Sequence, residues 1–444
     1  MALRGVEGQR PSPSETPGPQ AETLHASFAE SLIPPKQLMY SQEIRTAAQT
    51  SLCMKGGRTM NLRDKLKAIE KPKVKVTVQE TAPETKPAFT DCWRTENTHA
   101  ASEYPIRRET VMLMQGDDMP EDFSPERILY LDTETTGLMG AGTVAFEVGL
   151  GWQEGGTFHV RQLVMRDYPE EKFLLEEIVR VAERFDVVCS FNGKTFDLPL
   201  LKNRFIMNRI RTTCLDKPHI DLLHIARRVW KLRLQKCNLT NLEEALLGIP
   251  RVDDLPGAQV PERFFSYLKN GDFSLLDDVL DHNEQDIVSL QNLLSHMCRM
   301  YENPEQLRFD EDVYSMGVAL ERFHHAPEAR RCYELAGGTM HAASQSRLAQ
   351  SYRKCGERAE AVKVWQGMIN RREGGISPYV ELAKHYEHVE KDYAAAMDAV
   401  RKALILLAEP TLFEDASVQA ARNALQYRYD RLKRRASAGG LKNE

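Results

Sequence analysis

Asp132 and Glu134 stand one residue apart at the end of a short apolar run, Ile128-Leu129-Tyr130-Leu131, and a Thr135-Thr136-Gly137 turn follows them. On a strand, positions i and i+2 point to one face, so the two carboxylates project together. Like charges that close repel each other, and each ionises less readily unless a cation lies between them. Two later places in the chain could complete such a site. Asp197 follows Phe191-Asn192-Gly193-Lys194-Thr195-Phe196, between a short apolar run and a helix that Pro199 helps to start. Two roles are open to it there, a charge at a helix terminus or a cation ligand. Asp286 lies in a segment whose apolar stripe runs through Leu276, Val279, Leu280, Ile287, Leu290, Leu294 and Met297. Continuing that stripe puts Asn283 and Asp286 on or beside a buried face, where a carboxylate is costly unless paired or metal-bound. His282 precedes Asp286 by four residues, so both can reach one place. Alone, that histidine would read as an ordinary half-buried one.

The elements that must position these residues follow from periodicity. Ile128 to Asp132, Val144 to Trp152 and Thr157 to Met165 are apolar or alternating runs separated by glycine-containing breaks, which predicts an antiparallel three-strand meander. Residues 170–185 read as a helix whose core face carries Phe173, Leu174, Ile178, Val181, Ala182 and Phe185. Val187 to Phe191 is a short buried strand, and helices are expected at 199–211, 222–231, 241–247 and 274–301. Strands first, then a strand among helices, predict a mixed sheet flanked by helices.

After Pro304 the pattern is helical. Gly317, Ala329 and Tyr333 are matched by Ala349, Ala361 and Trp365, and again by Ala383, Ala395 and Ala399, at spacings of 32 to 34 residues. That period fits tetratricopeptide-like helical pairs, in which small residues let stacked helices approach; an ordinary helical bundle is the alternative. A terminal capping helix is expected over 415–435, ending in the basic run Arg431-Leu432-Lys433-Arg434-Arg435. The expected organisation is a largely disordered region at 1–124, an α/β unit at 125–302, helical repeats at 310–408, and a capping helix with a basic tail at 409–444.

Composition bounds the rest. A net charge of −5 offers no global attraction to nucleic acid or anionic membranes, so such binding must rest on local patches. No apolar run approaches the roughly 20 residues needed to span a bilayer, and the Pro- and Ser-rich N-terminal stretch lacks a signal-peptide core. The eight cysteines are scattered without zinc-ligand spacing, which suits free thiols in a reducing cytoplasm. Residues 60–69 form a short amphipathic segment followed by Lys71-Pro72-Lys73-Val74-Lys75, a solvated linker or a nucleic-acid arm, and Met60 is an alternative start.

Taken together, Asp-x-Glu on the first strand, an Asp after an Asn-Gly strand end, and a last helix bearing His-Asn-x-x-Asp resemble the DEDD exonucleases of the ribonuclease H-like fold. Leu131 to Leu138, Phe191 to Asp197, and Asn238-Leu239-Thr240-Asn241-Leu242-Glu243 are similar to the bacterial YprB-like ribonuclease H-like domain, often followed by tetratricopeptide repeats. The resemblance covers about 125–300. It implies that Asp132, Glu134, Asp197 and Asp286 hold two divalent cations, Mg²⁺ or Mn²⁺, for two-metal phosphodiester hydrolysis with 3′→5′ polarity. It implies His282 as the group that orients or deprotonates the attacking water. Thr135, Thr136 and Gly137 would let backbone donors approach the terminal nucleotide, Leu138 would pack on its base, and Asn192 would line the same site. Lys194 and Arg204 are candidate phosphate contacts or plain surface charges. The family histidine usually lies five residues before the last Asp, where this chain has Asp281, so His282 departs from the pattern. Asp221 is a possible auxiliary acid or a structural helix start.

The reaction class expected is thus nucleic-acid hydrolysis, on DNA or RNA, with endonucleolytic cleavage of structured junctions as a variant. The rival from another class is a non-catalytic nucleic-acid-binding or scaffold protein acting through its helical repeats, which could also bind a protein partner.

Overall fold

The computed structural model describes residues 90–116, 118–137, 142–251, 255–408 and 416–440, all within one structural unit. Met60, the amphipathic segment beside it and Leu138 lie outside the described residues. Strands β1 (Trp93–Ala100), β2 (Ile128–Thr135), β3 (Ala145–Glu154), β4 (Thr157–Val164), β5 (Val187–Ser190) and β6 (His219–Asp221) form one sheet in the order β1-β4-β3-β2-β5-β6. Pairing is antiparallel from β1 through β4 and β3 to β2, and parallel from β2 through β5 to β6. The predicted meander is β2-β3-β4. β1 was not expected: its sequence, Trp-Arg-Thr-Glu-Asn-Thr-His-Ala, is polar because it pairs on one side only and faces solvent along much of its length.

Helices α1 (Arg108–Gln115), α2 (Glu171–Ala182), α3 (Asp197–Met207), α4 (Leu222–Leu234), α5 (Leu239–Leu242), α6 (Val260–Asn270) and α7 (Asp277–Glu302) surround the sheet. Alternation along β2 explains its unbroken apolar run. Ile128 and Tyr130 join a core with Trp230 of α4 and Ile287 and Leu290 of α7, whereas Leu129 and Leu131 join another with Leu174 and Ile178 of α2 and Phe264 of α6. A strand covered on both faces needs apolar residues at every position until the edge of the core. Asp132 and Glu134 come where that cover ends.

The remaining helices, α8 (Asp310–Arg322), α9 (Ala326–Leu335), α10 (His341–Lys354), α11 (Arg358–Asn370), α12 (Ser377–His385), α13 (Tyr393–Leu407) and α14 (Ala416–Gly440), form a C-terminal bundle in which consecutive helices pack together. Val313, Met316 and Leu320 of α8 share a core with α4, and Arg233 of α4 pairs with the buried Asp312 at 2.7 Å. Of the small residues spaced for close approach, Ala329, Ala349, Ala361 and Ala383 are fully buried, and a side chain at Gly317 would strike the Tyr333 ring at 2.7 Å. In the third unit Ala396 rather than Ala395 is buried, while Ala399 keeps its expected place, and a π-helical turn at Tyr386–Glu390 precedes them.

That turn also anchors the last helix. Glu387, wholly buried, receives Arg428 at 2.8 Å, Arg431 at 2.7 Å and Arg435 at 3.1 Å. Burial pushes its carboxyl up, and the arginines pull it further down, below the ordinary range. Glu387→Ala is expected to cost about 3 kcal/mol by stranding desolvated guanidinium groups. Limited proteolysis should then cut first near α14, and a cleavage pattern identical to the parent's would refute the anchoring role.

Candidate active site

The site begins where α7 crosses β2 and β3. Gly149 and Gly151 of β3 make that crossing possible: a Cβ at Gly149 would meet the Asn283 amide oxygen at 2.2 Å, and one at Gly151 would meet Ile287 at 2.5 Å. Removing two side chains from the sheet lets the helix lie close enough for its polar residues to reach the strands. Asn283 then donates to Asp132 Oδ2 at 3.0 Å. Next to it, Gln162 of β4 donates to Glu147 Oε1 at 3.0 Å and to the Leu280 carbonyl at 2.7 Å. Glu147 lies directly across from Glu134 in the β2–β3 ladder. It is a buried fifth carboxylate that sequence patterning passed over, although an acid between Phe146 and Val148 in a fully buried strand was the available signal.

Helix α7 brings His282 and Asp286 to the same place, while Asp281 is exposed. His282 Nε2 stands 3.7 Å from Glu134 Oε1 and 3.7 Å from Asp286 Oδ2. The four-residue spacing therefore serves the geometry, and the five-residue position points to solvent.

A second residue escaped sequence reasoning. Arg251, almost fully buried, ion-pairs Asp286 and forks onto Glu243, with Nε–Oε2 at 2.5 Å and Nη2–Oε1 at 2.7 Å. Its Nη1 also lies 3.2 Å from His282 Nδ1. Glu243, at the start of a π-helical turn (Glu243–Leu247), is wholly buried and also accepts the Ser289 hydroxyl. A bidentate guanidinium–carboxylate pair suits such an enclosed position. The cation that the acid cluster required is in part supplied by the chain itself.

Asp197 arrives differently. Asn192 adopts the left-handed conformation (φ 68°), and Gly193 must lack a side chain because a Cβ would meet Ser190 Oγ at 2.2 Å. Asp221 ties this turn down: its carboxylate accepts the Asn192 amide at 2.9 Å and the Lys194 amide at 3.1 Å, and it caps α4 through the Leu223 amide at 3.2 Å. Asp221 is thus the structural helix start of the two roles open to it. Asp197 opens α3, and its Oδ1 accepts the Thr133 hydroxyl at 2.5 Å. Thr133 alternates to the opposite face from Asp132 and Glu134. The carboxylate of Asp197 is therefore held at the margin of the cluster, close enough for its charge to raise Asp132.

The other candidates divide. Among the described residues, a Cβ at Gly137 would meet only Thr143 Oγ1, at 4.0 Å. Thr136 is spent on structure: its amide donates to the Val144 carbonyl at 3.0 Å and its hydroxyl accepts the Val144 amide at 3.1 Å. Thr135 is buried and donates to the Gly137 carbonyl at 2.9 Å. Both threonines build the turn, which corrects the expectation that Thr136 offers a free backbone donor. Lys194 is exposed beside the Asn192 turn. Arg204 is no phosphate contact, because Glu171 locks its guanidinium, with Nη2–Oε2 at 2.7 Å.

Electrostatics reports the crowding. Asp132 is pushed well up by desolvation and by the charges of Asp286 and Asp197. Glu134 rises to about 10 through desolvation and then Asp132, Glu147 and Asp286. Glu147 rises well above its ordinary value by burial and then Asp132, and Asp197 rises to about 6, chiefly by burial. Among the described residues, no group of three or more His, Cys, Asp or Glu side chains stands ready-made to hold a metal. Asp132, Glu147, Asp197 and Asp286 have local partners instead, Asn283, Gln162, Thr133 and Arg251 in turn, and Glu134 has His282 at 3.7 Å.

A pH dependence follows. A folded carboxyl with a raised pKa holds a proton that the unfolded chain releases, so stability falls as pH rises toward the folded value. Below neutrality, His219, held down to about 4 chiefly by burial, works in the opposite direction. The decline should therefore be clearest from about pH 7 to 8.5 in chelator, measured by urea unfolding. A profile that climbs across that window would contradict the cluster.

Comparison with known proteins places these residues in one matched segment: residues 129–298 match the RNase_H superfamily. The uncharacterized protein YprB of Bacillus subtilis (strain 168) is similar, 30% identical over 291 residues that cover 64% of this chain and 70% of YprB. Among solved structures, the family B DNA polymerase from the hyperthermophilic archaeon Pyrobaculum calidifontis aligns with a TM-score of 0.32 and 13% identity, over 55% of this chain and 34% of the polymerase chain. No helix of the described residues is long and apolar enough to cross a membrane.

Proposed function

The chain belongs to the RNase_H superfamily, in the family it shares with YprB, and from that premise we propose that it is a divalent-cation-dependent nuclease, a 3′→5′ exonuclease of DEDD type. The observation that carries the reading is the crowding of Asp132, Glu134, Glu147 and Asp286 around His282, where each carboxyl is raised by desolvation and most of them also by neighbouring acids. Packed acids of that kind are a charge deficit that an added cation relieves. The donors are all oxygen, which suits Mg²⁺ or Mn²⁺. Asp132, Glu134, Asp197 and Asp286 would hold two such ions, which when bound neutralise the scissile phosphate and acidify the attacking water. His282, 3.7 Å from both Glu134 and Asp286, would take the proton from that water. Arg251 would hold Asp286 in place, Asn283 would orient Asp132, and Gly137 would let the backbone approach the terminal nucleotide. Lys194 and Asn192 would meet its phosphate side. The C-terminal helices, read as tetratricopeptide-like repeats, would position substrate or a protein partner.

One observation favours a second reading. Arg251 already neutralises Asp286, as it would in a nucleic-acid-binding or scaffold protein whose cation site had been replaced by a guanidinium. End-labelled single-stranded and duplex DNA and RNA, incubated with protein and Mg²⁺ or Mn²⁺, test both readings. Mononucleotides released from the 3′ end are expected, and internal fragments would make it an endonuclease. No cleavage by the wild type with either metal, together with no heat of Mn²⁺ binding, would favour the scaffold.

A further inference from the structure

A cleft of about 950 Å³ opens between Phe191 and Asn192, which follow β5, and the outer face of α4. Its floor is apolar, with Phe191, Leu223 and Leu239, and its rim carries Arg227, Lys231 and Lys236. These three cations are exposed, and none pairs with a carboxylate among the described residues. That is unusual in a chain of net charge −5, where most described arginines near the site are locked by acids, as Arg204 is by Glu171 and Arg251 by Glu243. Arg227 and Lys231 are four residues apart on one helix face, about 5–6 Å between Cβ atoms, so their charges form a short row. Together they act on one spot: burial holds the Cys237 thiol above its ordinary value, and both cations offset part of that rise. Asn192, Gln235 and Asn238 add amide donors along the same cleft. The cleft shares Asn192 with the turn that precedes Asp197.

We infer that this cleft is a binding track for single-stranded nucleic acid, in which Arg227, Lys231 and Lys236 take successive phosphates and the bases lie on the floor formed by Phe191, Leu223 and Leu239. The inference rests on the nuclease reading for its direction toward Asp132, but not for the binding itself. Cations along one wall and an aromatic surface on the floor are the two features that hold single strands without sequence preference. A duplex would present paired bases that the apolar floor could not reach.

The test uses full-length protein carrying Asp132→Asn, so that substrate survives, and fluorescence anisotropy of a labelled oligothymidylate across a salt series. Arg227→Gln/Lys231→Gln is expected to weaken binding about tenfold and to lower the slope of log K against log salt by about 1.4, at roughly 0.7 per lost phosphate contact on a single strand. Lys172→Gln, on α2, should leave both unchanged. The Arg227, Lys231 and Lys172 side chains are exposed, and a melting temperature unchanged from that of the Asp132→Asn protein verifies the fold. An unaltered slope and affinity in the double variant would overturn the track, even if the wild type cleaves. Tighter binding of a duplex of the same length would overturn the single-strand assignment. Conversely, loss of binding in the double variant with no cleavage by the wild type would uphold the track while removing the nuclease reading.

Discussion

Asp132→Asn is expected to abolish cleavage while making the metal-free protein harder to unfold. The activity loss should be about 10³-fold or more, the scale on which a preorganised electrostatic contact to the reacting centre acts. The stability gain has a separate cause. Asp132 sits among Asp286, Asp197 and the other acids, and its carboxyl is pushed well above the ordinary range by desolvation and their charges. An asparagine fills the same volume and keeps an acceptor for the Asn283 amide, now 3.0 Å from Oδ2. Removing one of several mutually repelling groups should add about 1–2 kcal/mol in chelator. Metal should reverse the order. A cation at 100 times its dissociation constant stabilises the native state by about 2.7 kcal/mol, and the variant forfeits that gain. Thermal melts of parent and variant, with EDTA and with Mn²⁺, give four numbers that must cross over. Parallel melts in both buffers would remove the basis for a cation site.

Arg251→Met should be the most destabilising single substitution at the site, by about 3–5 kcal/mol. Methionine fits the space of the aliphatic stem, so packing is largely kept and the loss is electrostatic. Among the described residues Glu243, wholly buried, would retain only the Ser289 hydroxyl, and Asp286 would face Glu134 and Asp132 with His282 alone to offset its charge. Adding Glu243→Gln should return about half of that cost, because the worst stranded charge is then gone. Urea unfolding of the two single variants and the double completes the cycle. A single-variant cost below about 1 kcal/mol would mean that solvent reaches Glu243 and that the pair is a surface bridge.

Both predictions turn on residues that differ in legibility. Asp132 and Glu134 were readable because strand alternation is a local rule: two residues apart means one face, wherever the strand goes. Asp286 and His282 were readable for the same reason on a helix, where the apolar stripe of α7 fixed which turn faces inward. The His282 question also yielded to local geometry, once Asp281 was seen to be exposed. Arg251 obeyed no local rule. It follows Pro250 in a connection between helices, thirty-five residues from Asp286, and nothing in its neighbours announces a buried cation. The only clue was Glu243, an acid within the Asn238-to-Glu243 motif that burial would oblige to find a partner. Glu147 was hidden for a related reason: in a strand covered on both faces, alternation no longer separates core from surface. Thr136 was misassigned and Arg204 was left open between two roles, because charge and hydroxyl alone do not reveal a neighbour such as Glu171 or Val144.

By itself the sequence determined the meander, the helices α2, α3, α4 and α7, the apolar run that makes β2 a covered strand, and the acids that lie at its end, but not β1, α1, β6 or α6. Those depend on period and composition, which are properties of short windows. Only the tertiary structure decided how the acids are balanced. The close approach of α7 over Gly149 and Gly151, the turn of Asp197 toward Thr133, and the guanidinium laid between Glu243 and Asp286 are contacts between segments far apart in the chain. Whether a cluster of carboxylates is poised for a cation or already answered by one is set by such contacts, because Coulomb energy depends on distance in space and not on separation along the chain.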